Sequence, residues 1–201
     1  MNYADLLRLL RRSDAEILSV CRCGSRVYGT AGPRSDEDFF VVLHEEKARP
    51  DLLFRGGANF VVHGLGSFRE ALADQSVFAL ECLFAPAEHR LKVGVMPAYT
   101  VDRVKLAASA GARSASDFAK AERTFAEEPL AAKKKLFHSL RVPMFARQVA
   151  SRGRIVDFTE ARPLWVEIEA AAEEVSWAAY GALRERLVAE IGGKGKGRGP
   201  G

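Results

Sequence analysis

Two aspartates one residue apart, Asp36 and Asp38, open the run SDEDFFVVL at residues 35–43. The aromatic and β-branched residues that follow predict a strand over 37–43. Alternate residues of a strand point the same way, so the two carboxylates share a face, roughly 6–7 Å apart along the backbone. Carboxylates in that arrangement are hard oxygen ligands suited to Mg²⁺ (or Mn²⁺). Upstream, Gly24-Ser25 forms a turn as the chain leaves another apolar segment. Gly24 carries no side chain, so the backbone can approach a phosphate closely. The turn amides and the Ser25 hydroxyl are donors for such an anion. A metal-binding acid pair beside a phosphate-binding turn points to nucleotide chemistry. Arg26, Tyr28 and Ser35 lie in the same stretch and join Gly24 and Ser25 as candidate nucleotide-binding residues. Tyr28 either stacks on a base or packs beside the turn.

These residues need a scaffold, and the hydrophobic pattern supplies one. Residues 2–12 read as an amphipathic helix, and 16–23 as a buried strand that delivers Gly24. A third strand is expected over Asn59–His63, punctuated by Gly56-Gly57 and Gly64. From Leu65 the period turns helical, with one or two helices to Pro86, at least one over 97–127, and another over 129–151 that Pro143 should kink or end. The span 160–190 is rich in alanine and glutamate, with Trp165, Ile168 and Trp177 available for packing. Strands before residue 65 and helices after 97 predict an α+β fold, a small sheet with flanking helices followed by a helical lobe. The expected division is 1–96, 97–191 and a disordered basic Gly-rich tail over 192–201.

On the helix expected over 129–151, Lys134, His138 and Arg141 fall at i, i+4 and i+7 and share one face. That face either meets a triphosphate across a cleft between the lobes, or is a solvated basic stripe flanked by Lys133 and Lys135. His63, on the third strand, faces either the acidic centre or the core. The chain has 201 residues, a net charge of +4 and three cysteines. The basic excess favours a polyanionic partner such as RNA. Sparse, odd-numbered cysteines read as free thiols in a reducing compartment. No apolar run approaches a membrane span, and the charged N-terminal segment does not read as a secretory signal. A cytoplasmic location is expected.

The pattern GSRVYG (24–29) followed by SDED (35–38) resembles the signature of the polymerase-beta-like nucleotidyltransferase superfamily. Leu80-Glu81-Cys82-Leu83, and Lys134, His138 and Arg141 at their spacing, resemble further motifs of a bacterial and phage branch that includes RNA-repair-associated members. The resemblance spans about residues 16–160. It implies a nucleotidyltransferase core in which Asp36 and Asp38 hold two metal ions. One would activate an acceptor hydroxyl and the other hold the triphosphate, with Gly24 and Ser25 on its phosphates. It also implies a third carboxylate from a later strand, and the residue in that position is Asn59. An asparagine can offer a carbonyl oxygen to a metal but brings no charge and cannot act as a base. Glu81, or less directly Asp51, is a candidate substitute.

Two functions therefore stand. One is a metal-dependent transferase moving a nucleoside monophosphate from an NTP to a hydroxyl, with an RNA (a tRNA or an RNA 3′ end) as the favoured acceptor. The other is a weakened or inactive relative that binds a nucleotide or RNA or serves as a partner protein.

Overall fold

A computed structural model describes residues 1–33, 35–171 and 175–193. The fold is α+β, and the chain divides into two compact units, Met1–Thr100 and Val101–Gly201. The boundary falls a few residues beyond the 96/97 division read from the sequence. The expected tail lies, from residue 194, outside the described residues.

The first unit is built on five strands: β1 (Ile17–Cys23), β2 (Glu37–Leu43), β3 (Asp51–Arg55), β4 (Ala58–Gly64) and β5 (Arg90–Lys92). Their order is β3-β4-β2-β1-β5, with β2 and β4 parallel and every other pair antiparallel. One face packs on α1 (Tyr3–Leu10). Leu6 and Leu10 meet Ile17, Val20, Phe39, Val41, Leu43, Phe60 and Val62 there. Strict alternation would turn Ile17 and Val20 to opposite faces. A register irregularity between Ile17 and Ser19 lets both reach this core. The helix starts where the sequence allows it to. The Asn2 side chain accepts the Asp5 amide at 2.9 Å, and Asp5 in turn accepts the Asn2 amide.

Helices α2 (Ser25–Tyr28), α3 (Leu65–Ala73) and α4 (Val77–Leu83) complete the unit. On the face away from α1, Phe40 stacks on the His63 ring at 4.9 Å and meets Phe68 and Phe78. His63 is thus a core residue. Its Nδ1 lies 3.1 Å from the Ser67 hydroxyl, and burial holds its pKa below the ordinary 6.5. The helical stretch after Leu65 is two helices, separated where Gln75 takes a positive φ of 55°.

Two strands escape the sequence reading. β3 precedes Gly56-Gly57, both with positive φ, and Arg55 pairs with Ala58 across them. This is the two-residue hairpin that a Gly-Gly turn favours. β5 is three residues long and pairs only with β1.

The second unit contains α5 (Arg103–Thr124), α6 (Pro129–Arg152), α7 (Arg162–Ala170) and α8 (Trp177–Gly192). Of the two outcomes expected at Pro143, an end to the helix is not found: α6 runs on to Arg152. Proline removes the N–H that would bond the carbonyl four residues back, which is Ser139. The buried Ser114 hydroxyl, reaching over from α5, donates to that carbonyl at 2.5 Å. A side chain on one helix thus satisfies the acceptor that proline strands on another. Among the described residues, no helix is long and apolar enough to cross a membrane.

Ser114→Ala should leave the Ser139 carbonyl buried without this donor and cost roughly 1–3 kcal/mol, read as a lower urea midpoint. In a Pro143→Ala background the backbone N–H returns, and the same substitution should cost clearly less.

Candidate functional site

The register of three strand pairs places the candidate residues. Cys23 on β1 pairs with Asp38 on β2, Asp38 pairs with Asn59 on β4, and Asn59 pairs with Phe54 on β3. Directly paired residues share a face, so Asp38, Asn59 and Phe54 form one row across the sheet. The intervening Glu37 turns to the α1 side, where its carboxylate meets the Met1 ammonium at 2.9 Å. Asp36 stands one residue before β2, exposed to solvent, and Asp38 is half-buried.

Gly24 lies beside the row. It takes φ +74° and ψ −160°, a conformation nearly restricted to glycine. A Cβ at this position would stand 2.1 Å from Oδ2 of Asp38. The absent side chain is what lets the turn close against the carboxylate. Ser25 begins the single helical turn α2, in which the Val27 and Tyr28 amides both bond the Gly24 carbonyl, at 3.0 and 3.2 Å. Thr30 N–H bonds the Ser25 carbonyl at 2.9 Å. Arg26 is exposed and donates to the Ser35 carbonyl at 3.0 Å, while the Ser35 hydroxyl accepts the Gly32 amide at 2.9 Å. Arg26 and Ser35 therefore tie the loop that links the turn to the aspartates.

Asn59 occupies the place expected for a third acid, and it does something different there. Its Nδ2 donates to Oδ1 of Asp38 at 2.9 Å. The amide supports the carboxylate with an N–H and does not present its carbonyl oxygen in that contact. Neither proposed substitute joins the aspartates. Among the described residues, no three His, Cys, Asp or Glu side chains gather as a metal-holding group. Glu81 is buried on α4 and accepts a hydrogen bond from the Tyr28 hydroxyl. Asp51 pairs with Lys47, and its register opposite Val62 sets it on the α1 side of the sheet. Tyr28 is itself buried, so its ring packs inside the protein and does not offer a face to a base. What Tyr28 and Glu81 do accomplish is to fasten the Gly24–Gly29 turn to α4.

Lys134, His138 and Arg141 share a face of α6 in the second unit. Lys134 is exposed, and Arg141 donates to Nδ1 of His138 at 3.1 Å while lying over the Phe145 ring. Burial, and then the charge of Arg141, push the His138 pKa well below its usual range. His138 is thus held neutral at physiological pH, so the stripe carries two cations rather than three.

Asp36 and Asp38 are the carboxylates here that could offer oxygens to a hard divalent cation. Two carboxylates plus oxygens of a bound phosphate and water are a usual Mg²⁺ complement. The close approach of Gly24 to Asp38 leaves the backbone, and no side chain, along that edge. Cys21, Cys23 and Cys82 are buried and form no disulfide among the described residues. Burial raises the Cys82 thiol pKa, which makes it unreactive. Phe54, paired with Asn59, stands on β3, a strand not predicted from the sequence. The Gly56-Gly57 pair flanked by apolar residues was the signal that could have found it.

Gly24→Ala should cost roughly 1–3 kcal/mol from backbone strain alone, with the Asp38 clash added. The measurement is a thermal melt beside Gly32→Ala, which has open space for a Cβ and should melt close to the parent. In comparisons with known proteins, the chain matches no family model and no curated protein.

Proposed function

We propose that the first unit is a metal-dependent nucleotidyltransferase, moving a nucleoside monophosphate from an NTP to a hydroxyl acceptor, with RNA as the favoured acceptor. The observation that carries this reading is the close approach of Gly24 to Asp38, which sets the start of the α2 turn beside a half-buried carboxylate. The resemblance of residues 24–38 to the polymerase-beta-like superfamily points the same way. In the reaction, an acceptor oxygen forms a bond to the α-phosphorus and the bond to the β-phosphate oxygen breaks. Pyrophosphate leaves and the hydroxyl proton passes to solvent.

Each residue has a defined part. Asp36 and Asp38 would hold a divalent cation. When bound, that cation supplies positive charge against the triphosphate and lowers the pKa of a hydroxyl. The Ser25 hydroxyl, with the Ser25 and Arg26 amides that open the turn, would bind phosphate oxygens and fix their position. Asn59 holds Asp38 in one orientation through its N–H. With an amide where an acid is expected, the site carries one negative charge fewer and no base at that position. The reading therefore favours a slow enzyme with weak metal affinity, acting in the cytoplasm. The second reading, a nucleotide- or RNA-binding relative without transfer, is favoured specifically by Asn59, which brings no charge where an acid is expected.

Label transfer from each of the four α-labelled NTPs, with Mg²⁺ or Mn²⁺ and with RNA and the protein itself as acceptors, separates the two. Transfer should be lost, by at least about a hundredfold, in Asp36→Ala and in Asp38→Ala. Asn59→Asp should raise the rate and lower the metal concentration needed. Equal labelling by parent and by the double alanine variant would contradict the assignment. Nucleotide binding without labelling would favour the binding protein.

A further inference from the structure

The row through Asp38 has two unlike ends. Toward β1 it meets Gly24, where the α2 turn begins. Toward β3 it ends on Phe54, which is 67% exposed, with Leu52 two residues earlier 78% exposed. The residue between them, Leu53, turns to the other face and packs against the core beneath α1. β3 is therefore anchored, and its register holds an aromatic ring in solvent on the same face as Asp38. Two strand spacings, about 10 Å, separate Phe54 from Asp38.

We infer that Phe54, extended by Leu52, is the platform on which the terminal base of an unpaired RNA acceptor stacks, directing its 3′-terminal hydroxyl toward Asp38. The inference rests on the nucleotidyl-transfer reading above and names its acceptor. In-line displacement sets the attacking and leaving oxygens on opposite sides of the transferred phosphorus. With the triphosphate on the Gly24–Ser25 side, pyrophosphate departs toward β1, and the acceptor enters from β4 and β3. The side chains it meets there are Asn59, then Phe54 and Leu52. An aromatic ring suits any base because every base has a π-face. A terminal base held in a duplex is already stacked, and a serine or threonine acceptor brings no ring. The platform thus selects single-stranded ends.

The test measures KM for a single-stranded RNA dodecamer and for the NTP separately, in parent, Phe54→Ala and Phe54→Trp. Anisotropy of the fluorescein-labelled RNA without NTP gives Kd independently. Phe54→Ala should raise RNA KM and Kd about tenfold or more. NTP KM and the melting temperature should stay unchanged, Phe54→Trp should restore binding, and a blunt duplex should be a poor acceptor. Unchanged RNA KM and Kd in Phe54→Ala would overturn the inference, and so would an increase confined to NTP KM. A parent dimer that Phe54→Ala splits without touching RNA affinity would do the same, marking the β3 edge as a self-association surface. Transfer that proceeds with RNA KM unmoved removes only the platform. Absence of transfer with Phe54-dependent RNA binding removes only the transferase.

Discussion

The candidate site depends on one close approach, that of the Gly24 backbone to the Asp38 carboxylate. Strand pairing forces it. With Cys23, the last residue of β1, opposite Asp38, the residue that follows turns away directly beside that side chain. Only a residue without a Cβ, able to take φ +74°, can do so. Every other feature of the turn follows from that conformation. The Gly24 carbonyl accepts from Val27 and Tyr28, α2 closes in one turn, and Tyr28 reaches Glu81. The buried core of the sheet keeps the two strands in this register, so the approach of Gly24 to Asp38 is maintained by packing well away from it.

The electrostatics of the row are milder than a three-acid site would produce. Three neighbouring carboxylates repel one another and need cations to coexist. Asn59 adds no such repulsion and donates to Asp38 instead. Under the proposed function, the same amide would leave less charge to attract an ion, so weaker metal binding would accompany the milder repulsion.

Much of this was legible in the sequence because it depends on local pattern. The apolar and β-branched runs mark β1, β2 and β4, and strand alternation separates Asp38 from Glu37. The position of Asn59 was legible for the same reason, since it begins a clearly bounded strand. What was not legible depends on partners distant in sequence. The unbroken α6 needed Ser114, 25 residues from the carbonyl it satisfies. The burial of Tyr28 needed Glu81, 53 residues away. β3 was hidden because Leu52 and Phe54 face solvent, so its pattern lacks the polar outer face that marks an ordinary edge strand.

The most direct measurement is a crystal structure of the first unit's site within the whole chain, grown with Mn²⁺ and an NTP whose α,β-bridge resists cleavage. The account predicts an anomalous Mn²⁺ peak between Asp36 and Asp38, with triphosphate oxygens on Ser25 and the turn amides after Gly24. A nucleotide bound elsewhere, or Mn²⁺ absent from both aspartates at saturating nucleotide, would contradict it.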